Sequence, residues 1–139
     1  MKVISDDIKK GEFKSVYLLY GEEEYLKKQY RDRLKNAIAG DDTMNYSYYD
    51  SDNASVKDII DVCETLPFFA QKRLVIMENT GFLKSSNDEL ADYIKHIPDY
   101  LVVVMVEKDV DKRNKVYKAV DSVAVSYTHL RAHETDQYL

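Results

Sequence analysis

The chain has little of what marks secreted, membrane or nucleic-acid-binding proteins. Its 139 residues contain one cysteine, Cys63, so an internal disulfide framework is excluded and a reducing cytoplasm is expected. No apolar run approaches the roughly 20 residues that span a bilayer. Residues 1–11 are charged and lack the apolar core of a signal peptide. The net charge of −5 disfavours a dedicated nucleic-acid binder. Composition therefore predicts a soluble, cytoplasmic α/β domain.

Short apolar runs alternate along the chain with patterns of helical period. Strands are predicted over residues 16–20, 46–49, 73–77 and 100–106. Helices are predicted over residues 26–38, 56–66, 90–97 and 111–120, the second of them capped by Ser55 or Asn53. Residues 123–125 offer the start of a fifth strand. Such repeated alternation predicts a mostly parallel sheet with helices on both faces.

The C-terminal stretch differs from the rest. Residues 126–135, Ser-Tyr-Thr-His-Leu-Arg-Ala-His-Glu-Thr, show no periodicity that continues what precedes them. They resemble a peptide that arises when adapter or vector sequence is translated onto a truncated gene. We therefore expect a domain over residues 1–125 and a non-native tail over residues 126–139, and a longer natural protein.

The turn after the first predicted strand is where an α/β domain of this kind would bind a nucleotide. A phosphate-binding loop there follows the pattern G-x-x-x-x-G-K-[ST], whose glycines let backbone N–H groups reach the phosphates. Gly21 matches the first glycine, but Leu26 stands at the second, and three glutamates follow Gly21. Their charge suits a helix N-terminus and repels a triphosphate. The sequence predicts that ATP does not bind, and we expect no cofactor.

The remaining polar residues form no catalytic or metal-binding constellation. Cys63 and His96 are the residue types of a nucleophile and its base, but Cys63 lies on the apolar face of its helix, where a thiol stays protonated. Asp50 and Asp52 begin like a calcium loop that the next residues do not continue, so a turn is expected. The histidine pair at 129 and 133 falls in the tail. The basic residues of the predicted helix over 26–38 are expected to form a solvated face: Lys27, Lys28, Arg31, Arg33 and Lys35.

The most informative stretch is residues 66–73, Leu-Pro-Phe-Phe-Ala-Gln-Lys-Arg, between a helix and a strand. Pro67 ends the helical pattern because proline lacks an N–H and disfavours a helical residue before it. Phe68 and Phe69 thus fall in a short connection, where polar residues are usual. Residue type alone favours two rings that cover the core. Neighbouring loop side chains point in different directions, however, which favours exposure of one ring and a partner-binding surface.

This stretch and the first strand together resemble one family. Residues 16–26, Val-Tyr-Leu-Leu-Tyr-Gly-Glu-Glu-Glu-Tyr-Leu, resemble the opening of the bacterial DNA polymerase III delta subunit. Residues 66–75 resemble that family's clamp-contacting segment, and residues 100–120 fit its fourth strand and following helix. The resemblance runs from residue 12 to residue 122, and the family's later helical domains have no counterpart in this sequence.

The resemblance implies an AAA+-like fold without a functional nucleotide site. It also implies a clamp-loader subunit that helps open the sliding clamp in DNA replication. Such a subunit is not an enzyme by itself, although the polymerase complex is a nucleotidyltransferase. The implied partners are the beta sliding clamp and, in the full-length protein, other loader subunits; a contact with DNA is possible only within the complex. The implied clamp-binding residues are Leu66, Pro67, Phe68, Phe69, Gln71 and Arg73, with Phe69 exposed and residues 71–73 as a polar rim.

Two other functions stay open at this point. A small nucleotide- or phosphate-dependent α/β enzyme would use the turn at Gly21 and would bind ATP measurably. A generic interaction domain would use Phe68 and Phe69 to bind some other protein, and only a binding test separates it from a clamp-binding domain.

Overall fold

A computed structural model describes the backbone of residues 2–85, 87–123 and 126–130, and the side chains of residues 3–85 and 87–123. The helices are α1 (Lys2–Lys10), α2 (Glu24–Ile38), α3 (Val56–Cys63), α4 (Asp88–Ile94) and α5 (Lys115–Ser122). The strands are β1 (Val16–Gly21), β2 (Tyr46–Tyr49), β3 (Arg73–Glu78), β4 (Leu101–Glu107) and β5 (Ser126–Leu130).

The described strands form one parallel sheet in the order β2-β3-β4-β1-β5. Val16 of β1 lies opposite Val103 of β4, and Leu74 of β3 lies opposite Val102. Strands β1 and β4 are buried along their whole length, which is typical of parallel strands covered on both faces. The predicted α/β class and parallel sheet are confirmed.

Helices cover the two faces of the sheet unequally. On one face, α1 and α2 pack Ile4, Leu26 and Tyr30 against alternate residues of the central strands. On the other, α3, α4 and α5 pack the larger of the two buried clusters, which includes Ile59 and Val116. Because successive strand residues point to opposite faces, each central strand contributes to both clusters.

The helix α1 was not predicted from the sequence. The spacing of Ile4 and Ile8 was the available signal, since residues four apart share one face of a helix. Ile4 is buried against the sheet and Ile8 packs against the same cluster. The charged residues between and after them masked this pattern.

Several predicted boundaries were wrong. The helix α3 ends at Cys63 and α4 at Ile94, each three residues before the predicted end, and α5 begins only at Lys115. Asn114 sets that start, because its side-chain oxygen accepts hydrogen bonds from the Val116 and Tyr117 N–H groups. No helix among the described residues is long and apolar enough to cross a membrane.

The fifth strand lies further along the chain than expected. Residues 126–130 pair with β1 from Tyr17 to Gly21, whereas the expected start was at residues 123–125. Residues 124–125, and residues 131–139 of the expected tail, lie outside the described residues. The division into a domain over 1–125 and a tail over 126–139 therefore stays a prediction, with β5 formed by backbone beyond that boundary.

Candidate functional site

The segment between α3 and β3 presents apolar side chains to solvent. Phe69 is 95% exposed and Phe68 53%, and their rings meet edge to face at a centroid distance of 4.4 Å. Leu66, on the same segment, is also exposed. Large apolar side chains grouped in this way are typical of a protein-binding surface. The prediction that at least one ring is exposed, mainly Phe69, is confirmed.

This segment, residues 64–72 and called the aromatic segment below, lies at the amino edge of the sheet because it leads into the first residue of β3. The turn at Gly21 follows β1 and therefore lies at the opposite, carboxyl edge. The 6 residues of β3, at a rise of about 3.3 Å each, place the two edges roughly 20 Å apart. The aromatic segment and the turn that resembles a nucleotide site are thus separate places on the molecule.

A buried side chain from outside the segment holds the backbone of Phe68. The Asn45 side-chain oxygen accepts a hydrogen bond from the Phe68 N–H at 2.6 Å, and the Asn45 side-chain nitrogen donates to the Phe68 carbonyl at 2.8 Å. That nitrogen also donates to the Asp42 carboxylate at 2.7 Å. This bond, with backbone N–H bonds from Asn45 and Met44, holds the pKa of Asp42 below its usual range.

Arg73 holds the other side of the segment. Its guanidinium donates to the Thr65 carbonyl at 2.7 Å, the Leu66 carbonyl at 3.3 Å and the Met44 carbonyl at 3.5 Å. Arg73 is buried, so its expected place in an exposed polar rim is wrong. The planar guanidinium carries several N–H donors in a fixed arrangement, so one arginine can donate hydrogen bonds to several carbonyl groups of a turn.

The other predicted residues of the segment differ in exposure. Gln71 is exposed and Pro67 is half-buried. Lys72 is half-buried, and its ammonium group donates to the Asp99 carbonyl at 2.8 Å, which ties the end of the segment to the turn before β4. A polar rim was expected from residues 71–73, and Gln71 is the one exposed side chain among them.

Phe69 has an unusual backbone conformation. Its φ of 54° lies in the left-handed region, which a bulky residue other than glycine rarely adopts. Such a conformation costs about 1–3 kcal/mol and persists where contacts of the neighbouring residues hold the backbone in place. The bonds from Asn45 to Phe68 and from Arg73 to Leu66 are contacts of that kind. The segment is therefore a fixed turn that displays Phe69.

At the carboxyl edge, Lys27 points into the protein. It is 1% exposed, and its ammonium group lies 2.8 Å from the Glu24 carboxylate and 3.2 Å from the Glu107 carbonyl. The expectation that Lys27 belongs to a solvated face is wrong. Lys27 also stands six residues after Gly21, so it matches the lysine of the phosphate-binding pattern in addition to the match at Gly21. Its charge is paired within the protein.

Glu107 is the last residue of β4 and lies at this carboxyl edge of the sheet. Its carboxylate accepts hydrogen bonds from the Thr80 N–H at 3.1 Å and the Thr80 hydroxyl at 3.3 Å. Burial is the main influence on Glu107 and raises its pKa above the usual range, against the opposing effect of these bonds.

Cys63 and His96 do not form a catalytic pair. Cys63 is buried in the core, and burial raises the pKa of its thiol to about 12. His96 is exposed, with its Nδ1 3.0 Å from the Asp92 carbonyl. Asp50 and Asp52 form a turn in which the Asp52 N–H donates to the Asp50 carboxylate. Across the residues described, no three His, Cys, Asp or Glu side chains group in a way that holds a metal ion.

The turn before β2 contains the residues that sequence reasoning missed. Asp42, Met44 and Asn45 lie 23 or more residues before Phe68, and no pattern in the sequence links the two segments. The polar pair Asp42 and Asn45, just ahead of a strand, signals a turn. Only the parallel pairing of β2 with β3 brings this turn beside the aromatic segment.

The strand order β2-β3-β4-β1-β5, with helices on both faces of the sheet, is consistent with an AAA+-like α/β domain. The chain belongs to the family "DNA polymerase III, delta subunit", whose model matches residues 17–129.

Known relatives agree with this assignment. The chain is 31% identical to the DNA polymerase III subunit delta of Bacillus subtilis, over 94% of this chain and 42% of that protein. It is similar in structure to the Bacillus subtilis DNA clamp loader delta protein, with a TM-score of 0.82 and 30% identity over 99% of this chain and 45% of the other. A DNA polymerase III gamma subunit-related protein from Thermotoga maritima shares the fold, with a TM-score of 0.61 and 13% identity. The chain spans less than half the length of these relatives.

Proposed function

We propose that this chain is the clamp-binding region of a clamp loader, and that it binds the beta sliding clamp through Phe68 and Phe69 and helps open it during DNA replication. The observation that carries the proposal is Phe69, 95% exposed on a turn fixed by Asn45 and Arg73. Membership of the delta-subunit family supports the choice of partner. Replication takes place in the cytoplasm of bacteria, so the chain acts there.

The free energy gained by burying the two exposed rings is large enough for them to anchor a partner protein. Burying one phenylalanine side chain contributes roughly 1.5–3 kcal/mol, so Phe68 and Phe69 together contribute up to about twice that before the entropy cost of association. Residues of this kind at the centre of an interface typically carry most of its binding energy. Opening of the clamp follows only if the rings bind the open form more strongly than the closed form, because binding shifts an equilibrium by its differential affinity.

The region has no catalytic role of its own in this proposal. At the carboxyl edge, Lys27 is paired with Glu24, and acidic side chains precede α2 where a nucleotide would place its phosphates. This arrangement disfavours the alternative of a nucleotide-dependent enzyme. We propose contacts with other loader subunits, and with DNA, only within the assembled complex.

The test is binding of this chain to its cognate sliding clamp, measured by surface plasmon resonance or calorimetry. We expect a Kd in the micromolar range or tighter for the parent chain. The Phe68→Ala/Phe69→Ala double variant should weaken binding by at least about 2 kcal/mol, or roughly 30-fold.

A matched control is Tyr25→Ala. Tyr25 is an exposed aromatic residue on α2, close to the opposite edge of the sheet, so its replacement should leave clamp affinity unchanged. Failure of a folded parent chain to bind the clamp would refute the proposal. Equal losses in the double variant and in Tyr25→Ala would show that exposed aromatic residues act non-specifically.

A further inference from the structure

The turn before β2 presents one more large apolar side chain beside the aromatic segment. Met44 is 64% exposed, although it adjoins the buried Asn45. The backbones of Met44 and Leu66 lie close together, since their carbonyls accept hydrogen bonds from the same Arg73 guanidinium. Its neighbour Asn45 bonds directly to Phe68. Met44, Leu66 and Phe68, with Phe69 next to Phe68 in the chain, therefore lie on backbone that one partly buried set of hydrogen bonds ties together.

We propose that the clamp-binding surface has two parts, the aromatic segment and the turn of residues 42–45. In this surface, Met44 contacts the clamp directly and Asn45 is a positioning residue that fixes Phe68 and Phe69. This inference rests on the proposed function, because it assigns further residues to the same site.

Met44 is suited to a contact role. Its unbranched, polarizable side chain adapts to irregular surfaces and packs well against aromatic rings. Nothing in the local fold requires an apolar residue there, because Met44 is largely exposed while Asn45 makes the buried contacts. Its backbone N–H donates to the Asp42 carboxylate at 2.8 Å, a bond that holds the backbone of the turn from which the Met44 side chain projects.

Asn45 is suited to a positioning role. It is 2% exposed and so has no surface to offer a partner, yet it satisfies both the N–H and the carbonyl of Phe68. Phe69 follows directly in a left-handed conformation that isolated chains rarely populate. Loss of the Asn45 bonds should let Phe69 leave that conformation. The fraction of molecules able to bind would fall, and the apparent affinity would fall in proportion.

The experiment measures clamp affinity for Met44→Ala, Asn45→Ala, Phe69→Ala and the pair Asn45→Ala/Phe69→Ala, with Tyr25→Ala as control. We expect Met44→Ala to weaken binding about 3- to 10-fold and Asn45→Ala at least about 10-fold. Urea denaturation of each variant gives the folded fraction, so that affinities refer to folded protein.

The double variant separates positioning from a general loss of structure. If Asn45 acts through the rings, Asn45→Ala should weaken binding much less once Phe69 is alanine than it does in the parent chain. Equal effects in both backgrounds would overturn the positioning role. Parent-like binding by Met44→Ala, with weak binding by Phe69→Ala, would overturn the two-part surface and leave the proposed function standing. A folded parent chain that does not bind would instead refute the proposed function.

Discussion

The ammonium group of Lys27 lies 3.2 Å from the carbonyl oxygen of Glu107, at the edge of the sheet where related folds bind nucleotides. A phosphate-binding lysine must reach outwards to the phosphates, whereas Lys27 is buried and also pairs with Glu24. Lys27 thus occupies the lysine position of the phosphate-binding pattern, but its ammonium group bonds within the protein and connects α2 with the end of β4.

We therefore expect no ATP binding by calorimetry at concentrations up to about 1 mM, which corresponds to an affinity weaker than about −4 kcal/mol. The variant Lys27→Met should bind the clamp within about 2-fold of the parent chain, because the proposed clamp-binding surface lies at the other edge of the sheet, roughly 20 Å away. Saturable ATP binding that Lys27→Met abolishes would contradict this expectation and favour a nucleotide-dependent function.

A second prediction concerns the attachment of α1 to the sheet. The Tyr17 hydroxyl donates to the buried Asp7 carboxylate at 2.6 Å, and the Lys14 ammonium group lies 3.0 Å from the same carboxylate. Burial, followed by the bond to Asp7, raises the pKa of Tyr17 far above its usual value, so the hydroxyl remains a donor. Tyr17→Phe should lower the free energy of unfolding by about 1–3 kcal/mol, because the buried carboxylate loses a partner.

Urea denaturation followed by circular dichroism measures this change. The exposed Tyr25 is the matched control, and Tyr25→Phe should change the free energy of unfolding by less than about 0.5 kcal/mol. Equal stability of Tyr17→Phe and the parent chain would mean that water or Lys14 alone satisfies Asp7.

A third prediction concerns the single cysteine. Burial raises the pKa of the Cys63 thiol to about 12, and the thiolate is the reactive form. In the native protein at pH 8, Cys63 should therefore react with iodoacetamide only through the small fraction of molecules that is unfolded at equilibrium. Between pH 9.0 and about 12, the Cys63 thiol ionises in the unfolded chain but stays protonated in the folded protein. Its contribution to stability is therefore complete below pH 9.0 and is lost as the pH rises towards 12.

Alkylation followed by mass spectrometry at several urea concentrations tests this prediction. The rate should increase with urea in parallel with the unfolded fraction. Native protein that reacts as fast as a free thiol would show that Cys63 is accessible, and would reopen the question of a reactive role.

The sequence predicted the fold better than it predicted the site. Local patterns were sufficient for β1, β3 and β4, since buried parallel strands are continuous apolar runs, and for the exposed Phe69 once the family resemblance was considered. The expected exposure of Arg73 in a polar rim was wrong because its partners are backbone carbonyls, which carry no sequence signal. Asn45 was missed because its contact with Phe68 spans 23 residues and exists only once β2 and β3 have paired.

The last prediction concerns Glu107 and follows from the sign of its pKa shift. Burial raises the pKa of this carboxyl group, so at pH values between its unfolded and folded pKa the folded protein binds a proton that the unfolded chain has lost. Its favourable contribution is complete below the ordinary pKa of 4.5 and falls as pH rises above 4.5. Glu107→Gln keeps an oxygen that accepts the Thr80 bonds but carries no charge. The variant should therefore gain stability relative to the parent chain between pH 4 and pH 7. Urea denaturation at these two pH values measures the free energy of unfolding of both proteins. If the parent chain gains more stability than Glu107→Gln between pH 4 and pH 7, ionised Glu107 is stabilised in the folded protein. The Lys27 charge would then outweigh the effect of burial.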